Sequence, residues 1–246
     1  MTHTLTFSLA MALAAAVFPT SAAHAQAPDA AATQSEDARL IAFLDGEFDQ
    51  WLKQQPQLAT RLGLKDGGDR WNDTSDEAAA AEVAWRKASA AKMQAQFDRA
   101  MLSPEAQVNF DIWALEAQRA QMQFANRVYR PPFYSRLYSA HSQLPDFLVN
   151  THSVADATDL KNYIARLRAM PAVLDRAIAR TTASQAAGIN PPRFQIETII
   201  EGSRKLTSGA PYGEGEDAAL WADVKAKTEK LVADSKLSRA EADGLL

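Results

Sequence analysis

The stretch YRPPFYSRLYSAHSQLPDFLVNTH, residues 129–152, is where this chain stops reading as ordinary amphipathic helix. It holds Tyr129, Tyr134 and Tyr138 together with Phe133, Phe147, Pro131, Pro132 and Pro145. Pro131-Pro132 forbids regular helix locally. Neither ring nitrogen can donate, and a residue that precedes proline is pushed out of the α region. Aromatic rings beside prolines wedge between helices or line a cleft. The stretch therefore reads as an interruption in a helical fold, and the flanking sequence must supply the bundle.

On the amino-terminal side, Thr33 and Glu36 have capping-box spacing, which satisfies two orphan amides at a helix start. Leu40, Phe43, Leu44, Phe48, Trp51 and Leu52 then recur as one apolar helical face. Pro56 opens a short helix stopped at Gly63. The polar turn KDGGDRWND, 65–73, carries Trp71, either a lid or a plug packed back on the core; the plug is favoured. Thr74 and Glu77 form a second box and open an Ala-rich helix to about Met101, with Val83, Met93 and Phe97 inward. Ser103-Pro104 restarts the chain with a serine cap and proline at the first helical position. The following helix carries the stripe Val108, Ile112, Leu115 and Met122. Two long helices joined by so short a turn pack antiparallel.

On the carboxy-terminal side, Asp156 caps a helix with Leu160, Ile164 and Leu167; Pro171 starts the next, which Gly188 ends. Asn190-Pro191-Pro192 breaks the chain before a helix through Phe194, Ile199, Ile200 and Leu206. SGAPYGEG, 208–215, is a loop, and Leu220, Val224, Leu231 and Val232 mark a further helix. Ser238 and Glu241 form a third capping box close to Leu246. A helix that short is unstable without packing, so either the end frays or the protein originally continued. Alternation of β-branched residues is absent, so almost no strand is expected. The predicted class is all-α: a multi-helix bundle of antiparallel long helices with a proline- and aromatic-rich interruption.

The 246 residues are 47% hydrophobic and 23% charged, with a net charge of −4. This is an ordinary globular composition, without the broad cationic field that would hold nucleic acid. Cysteine is absent, which excludes disulfides, thiolate metal sites and cysteine nucleophiles. Leu5 to Phe18 is an apolar run ended by Pro19, with Ala23-His24-Ala25 as a small-x-small cleavage site. That layout is a secretory signal peptide cut after Ala25. The run is shorter than the ~20 residues of a spanning helix, so no membrane attachment is expected after cleavage. The organisation read from the chain is signal peptide 1–25, flexible leader 26–36 and helical domain 37–246. Cleavage removes His3 and His24 and leaves His141 and His152.

Those two histidines have a spacing that returns to one face of an unbroken helix, so a two-histidine metal site is conceivable. Pro145 between them argues against such a helix, and zinc needs three or four placed ligands. Histidines bonded to backbone are the favoured reading. No H-E-x-x-H, G-x-S-x-G, glycine-rich phosphate loop or EF-hand pattern occurs. The arginines Arg166, Arg168, Arg176 and Arg180 read as a solvated face rather than an anion site. Tyr134, Tyr138 and Tyr163 could offer hydroxyls to a ligand, although a core tyrosine with its hydroxyl at the rim is the common case.

PQLATRLGL at 56–64, SAHSQLPDFLVNTH at 139–152, YIARLRAMPAVLD at 163–175 and AGINPPRF at 187–194 resemble, in order, the bacterial family catalogued as domain of unknown function 885. The family is one of exported, mainly helical proteins similar to zinc metallopeptidases, and the resemblance covers the amino-terminal part of its usual length. It implies a zinc-binding H-E-x-x-x-G-H-H-like motif farther along than this chain extends. There is no His-Glu pair here, so no catalytic or metal residue carries over and no cofactor is expected in this chain. Zinc and a peptide substrate are expected only in a full-length parent. What the resemblance does imply is architecture, helices walling a deep cleft, with Tyr134, His141 and Arg193 as its candidate lining. Two functions follow: an inactive amino-terminal portion of such a protein, or a non-enzymatic periplasmic binding module that uses the central aromatic stretch.

Overall fold

The computed structural model describes residues 35–246. The signal segment, its Ala25 cleavage site and Thr33 lie outside the described residues. Nine α-helices and no strand occur among the described residues, apart from one isolated bridge between Ala210 and Asp217. None of these helices is long and apolar enough to cross a membrane. The fold is all-α, as the patterning predicts.

The first three long helices form one layer: α1 (Glu36–Leu52), α3 (Asp76–Gln96) and α4 (Pro104–Ala125), with the short α2 (Pro56–Arg61) after α1. Each long helix has a serine cap. Ser35, Ser75 and Ser103 accept from the backbone amides of Ala38, Ala78 and Ala106. The first helix therefore starts from Ser35 rather than Thr33, and α3 from Ser75 rather than Thr74. A serine follows each threonine within two residues, and it is the serine that reaches the third helical amide. Arg127 bonds Asp76, Trp85 meets Trp113 edge-on at 6.2 Å, and Arg99 grips Asp111 through two 2.7 Å bonds. Such pairs advance along one helix as they retreat along the other, so α3 and α4 are antiparallel. Their core with α1 is Leu40, Met93, Phe97, Leu102, Ala106 and Phe110.

One expectation fails on α4. The stripe Val108, Ile112, Leu115 and Met122 is exposed; Ala106, Phe110 and Ala117 are the buried residues. Periodicity reveals an apolar face but not which neighbour covers it, and α4 carries two such faces.

The second layer is built on α6 (Ala157–Ala186), with α5 (Ala140–Asp146), α7 (Arg193–Leu206), α8 (Ala219–Ala233) and α9 (Arg239–Leu245). Its core joins Trp71, Leu144, Phe147, Leu148, Leu160, Tyr163, Met170, Val173, Val224 and Leu231. Asp156 caps α6 through the Asp159 amide at 2.9 Å. The helix ends in a Schellman turn: Gly188 takes φ +81°, and the amides of Ile189 and Gly188 reach the carbonyls of Ser184 and Gln185. Only glycine enters that left-handed region without strain.

One proline departs from expectation and one does not. Pro171 lies inside α6 instead of starting a new helix, whereas Pro145 is the penultimate residue of α5, and no regular α-helix runs unbroken from His141 to His152. An internal proline costs about 3 kcal/mol through its missing amide and its ring. Around Pro171 the buried residues Met170, Val173 and Ala177 continue the core face past the proline, and that burial offsets the cost. After Pro145 the chain widens into a π-helical turn, Phe147–Thr151, in which the His152 amide reaches the Phe147 carbonyl at 2.9 Å. The box at Ser238 forms in full, and α9 is held by Ala242, which is 0% exposed.

Arg166 does not lie on a solvated face. It is 0% exposed. Its Nε donates to the Arg70 carbonyl at 2.9 Å, and its Nη2 to Thr60 Oγ1 at 2.9 Å and the Gly67 carbonyl at 3.2 Å. Its Nη1 donates to His152 Nδ1 at 3.0 Å. Its plane lies 5.0 Å from the Phe147 ring and 5.7 Å from Trp71. Trp71 is a plug, buried with its indole N–H on the Arg166 carbonyl at 2.9 Å. Replacing Arg166 with methionine orphans several buried carbonyls and should cost about 3 kcal/mol or more. Urea denaturation measures this.

His152 is 4% exposed. Burial first, then the charges of Arg166 and Lys227, push its imidazole pKa down from 6.5 to about 4. A histidine with a depressed folded-state pKa contributes stability that is full above pH 6.5 and is lost as pH falls toward 4. The protein should lose roughly 2 kcal/mol between pH 7 and pH 5 through this group. His152→Gln, which keeps an acceptor for Arg166, should flatten that part of the denaturation profile.

Candidate functional site

The stretch after α4 is pinned at several points. A short turn, Arg127–Tyr129, precedes Pro131, which is buried. The Phe133 amide donates to Thr181 Oγ1 on α6 at 3.3 Å, and the Arg136 amide donates to Gln195 Oε1 on α7 at 3.2 Å. Ser139 is fully buried, and its hydroxyl bonds the Ser135 carbonyl. These anchors hold a non-helical segment across the bundle, with different residues facing different cavities.

The larger cavity, about 770 Å³, lies between this segment and the helices α3 and α4. Tyr129, Tyr134 and Tyr138 border it, with Arg130 from the same segment and Arg180 from α6. All three tyrosines are exposed. Arg127 at the rim is occupied: its Nε bonds Asp76 at 3.1 Å and its guanidinium lies 4.2 Å from the Phe124 ring. Arg130 and Arg180 have no ion-pair partner among the described residues. Glu82 on the opposite wall is engaged by Trp51 Nε1 at 3.1 Å and Arg86 at 2.9 Å. The groove thus combines flat aromatic surface with two unpaired cations. It can take an extended chain with acidic side chains, since rings supply contact area at low entropic cost and arginine pairs with carboxylate.

A separate cavity of about 380 Å³ lies on the other side of the segment, between α5 and α7. Arg136, Leu137 and His141 border it, facing Thr198, Glu201 and Lys205. His141 is 6% exposed and stacks on Phe133 with ring centres 6.2 Å apart. Burial pushes its pKa below the ordinary value, so the ring is neutral at pH 7.

The three residues expected to line one cleft are therefore not brought together. Tyr134 borders the larger cavity and His141 the smaller. Arg193, in the first turn of α7, has a side chain 91% exposed that pairs with Glu197 at 2.7 Å. The two histidines do not form a pair either. His152 Nδ1 is taken by Arg166, while His141 borders its own cavity. Among the described residues no group of three or more His, Asp or Glu side chains could hold a metal ion, so the residues present do not fit zinc. Sequence reasoning missed Arg130 and Arg136, although both stand in the central stretch. It also missed Arg180, because α6 arginines at unequal helical positions reach different surroundings: Arg166 the core, Arg180 the groove. Tyr163 is a core residue, fully buried, whose hydroxyl donates to Asp223 at 2.7 Å.

No curated protein and no solved structure matches this chain. A family model does match it over residues 56–244. That span runs from Pro56 at the start of α2 through the Arg166 cluster and both cavities into α9, so the chain belongs to the family described as bacterial protein of unknown function (DUF885).

Proposed function

We propose that this chain is the amino-terminal helical portion of an exported zinc-metallopeptidase-like protein, and that its own task is to hold peptide. The chemistry resides elsewhere in the parent, and the chain alone is inactive. The observation that carries the reading is the groove bordered by Tyr129, Tyr134, Tyr138, Arg130 and Arg180. It offers aromatic surface and unpaired cations but no general base placed against a nucleophile. An extended peptide carrying Asp or Glu fits it best. The exposed stripe Val108, Ile112, Leu115 and Met122 on α4 supports the idea of a larger assembly, because an apolar face of that kind is what further helices would cover.

A second reading, a free-standing periplasmic binding module, draws support from two closed apolar cores. The two readings differ in autonomy. A module melts in one sharp transition and remains monomeric. A portion of a larger protein binds hydrophobic dye at the α4 stripe, and Ile112→Lys should reduce that dye signal without lowering the melting temperature.

The direct test is peptide binding by the purified protein, followed by fluorescence. Acidic extended peptides should bind better than basic ones of equal length. Tyr138→Ala should weaken binding about 10-fold, the order expected for truncating an aromatic anchor. Arg180→Gln should remove the preference for acidic peptides. No hydrolysis should accompany binding, with or without added zinc. Turnover by the isolated chain, or retention of one zinc per chain, would sink the reading.

A further inference from the structure

The cavity between α5 and α7 has a composition that the peptide-holding groove does not explain. His141 sits on its wall almost entirely out of solvent, yet its Nδ1 is buried without a hydrogen-bond partner. With Nδ1 enclosed and unbonded, Nε2 is the ring nitrogen left to meet a ligand, and the neutral imidazole donates there in its Nε2–H tautomer. That edge of the ring faces Gly202 on α7. A Cβ at residue 202 would stand 3.2 Å from Nε2 and 3.4 Å from Cδ2, tighter than ordinary contact. Glycine inside a helix costs about 0.5–1 kcal/mol relative to alanine. Here its missing side chain is what lets the imidazole edge reach the cavity wall.

The charges around that edge are unequal. Lys205 pairs with Glu201 at 2.8 Å. Arg136 adds a second cation: its charge, after the Lys205 hydrogen bond and charge, helps hold the Glu201 carboxyl below its usual range. Two cations against one carboxylate leave one positive charge over, and Arg136 has no ion-pair partner of its own among the described residues. The cavity, at about 380 Å³, is near the lower end of small-molecule sites.

We infer that this cavity is a carboxylate-binding site, with the Arg136 guanidinium and Lys205 ammonium as the counter-charges and the His141 Nε2–H as a donor. Carboxylate is the group that matches this set: it takes charge-assisted bonds from arginine and lysine and a further bond from a neutral imidazole. A phosphate dianion would leave a net negative charge beside Glu201. The carboxylate can belong to a small organic acid or to the carboxyl terminus of a peptide. The inference stands apart from the groove, because Tyr129, Tyr134 and Tyr138 lie in the other cavity.

The test is NMR of the purified protein with the His141 ring resonance as reporter, assigned by its loss in His141→Gln. Three probes are titrated at pH 7: sodium acetate, N-acetyl-Ala-Ala and the carboxamide of N-acetyl-Ala-Ala. The expected result is a saturable His141 shift with one or both free carboxylates and none with the amide. Saturation by acetate at the same concentration assigns the site to the carboxylate alone. Much tighter binding of N-acetyl-Ala-Ala assigns it to peptide carboxyl termini. Arg136 is exposed, so Arg136→Gln should leave the melting temperature unchanged while weakening binding at least 10-fold. Gly202→Ala should weaken it too, by displacing the ring. Tyr138→Ala should not change it. Equal response to acid and amide, no response to any probe at millimolar concentration, or full binding by Arg136→Gln would each overturn the assignment.

Discussion

A buried guanidinium organises the second layer of this protein. Among the described residues Arg166 takes no carboxylate partner. Its charge is spread over backbone carbonyls of the 56–73 segment, the Thr60 hydroxyl and the His152 imidazole, with the Phe147 and Trp71 rings against its plane. A lone charge out of water is expensive unless every donor finds an acceptor. Five donors in a fixed fork can satisfy several carbonyls of an irregular loop at once, which lysine could not. The arrangement tells the polar turn before α3 where to lie. It also places Trp71 as a plug and fixes His152 in its neutral form. The neighbouring Asp159 is held by Lys65 and by the Ala155 amide at 3.0 Å, so the anion, through Lys65, ties the same turn to the start of α6.

The same layer supports the central stretch. Thr181 and Gln195 hold it from α6 and α7 through backbone amides, which leaves the side chains of residues 134–138 free to divide two cavities. Tyr134 and Tyr138 serve one side, Arg136 and Leu137 the other. An irregular segment can do this because it obeys no helical period. On a helix, neighbours so close in sequence would spread around one axis instead of parting across a wall. The division between the two cavities therefore depends on the prolines that forbid helix there, and on a scaffold rigid enough to hold what they interrupt.

Much of the architecture is legible without coordinates. Ser103-Pro104, Asp156, Gly188 and the Ser238/Glu241 box all mark real helix ends, because capping satisfies amides and carbonyls locally. Trp71 as a plug could also be argued from a large ring in a glycine-bearing turn. The failures share a cause. Pro171 reads as a break because the local cost of an internal proline is visible in sequence, whereas the packing that offsets it is not. Arg166 reads as solvated because charge suggests surface, and its acceptors come from residues 56–70, far away in the chain. The α4 stripe reads as core because period alone does not choose between two apolar faces.

By itself the sequence determined an all-helical chain, most of its helix ends and the family to which it belongs, since these rest on local hydrogen bonding, periodicity and ordered motifs. It also singled out the stretch at 129–152 as the interruption in the helical pattern. Only the tertiary structure decided that Tyr134 and His141 face different cavities, that Arg193 borders neither, and that Arg130, Arg136, Arg180 and Lys205 supply the charge. Those assignments depend on which distant helices meet across the irregular segment, and side-chain direction in a loop is set by its anchors rather than by its own residues.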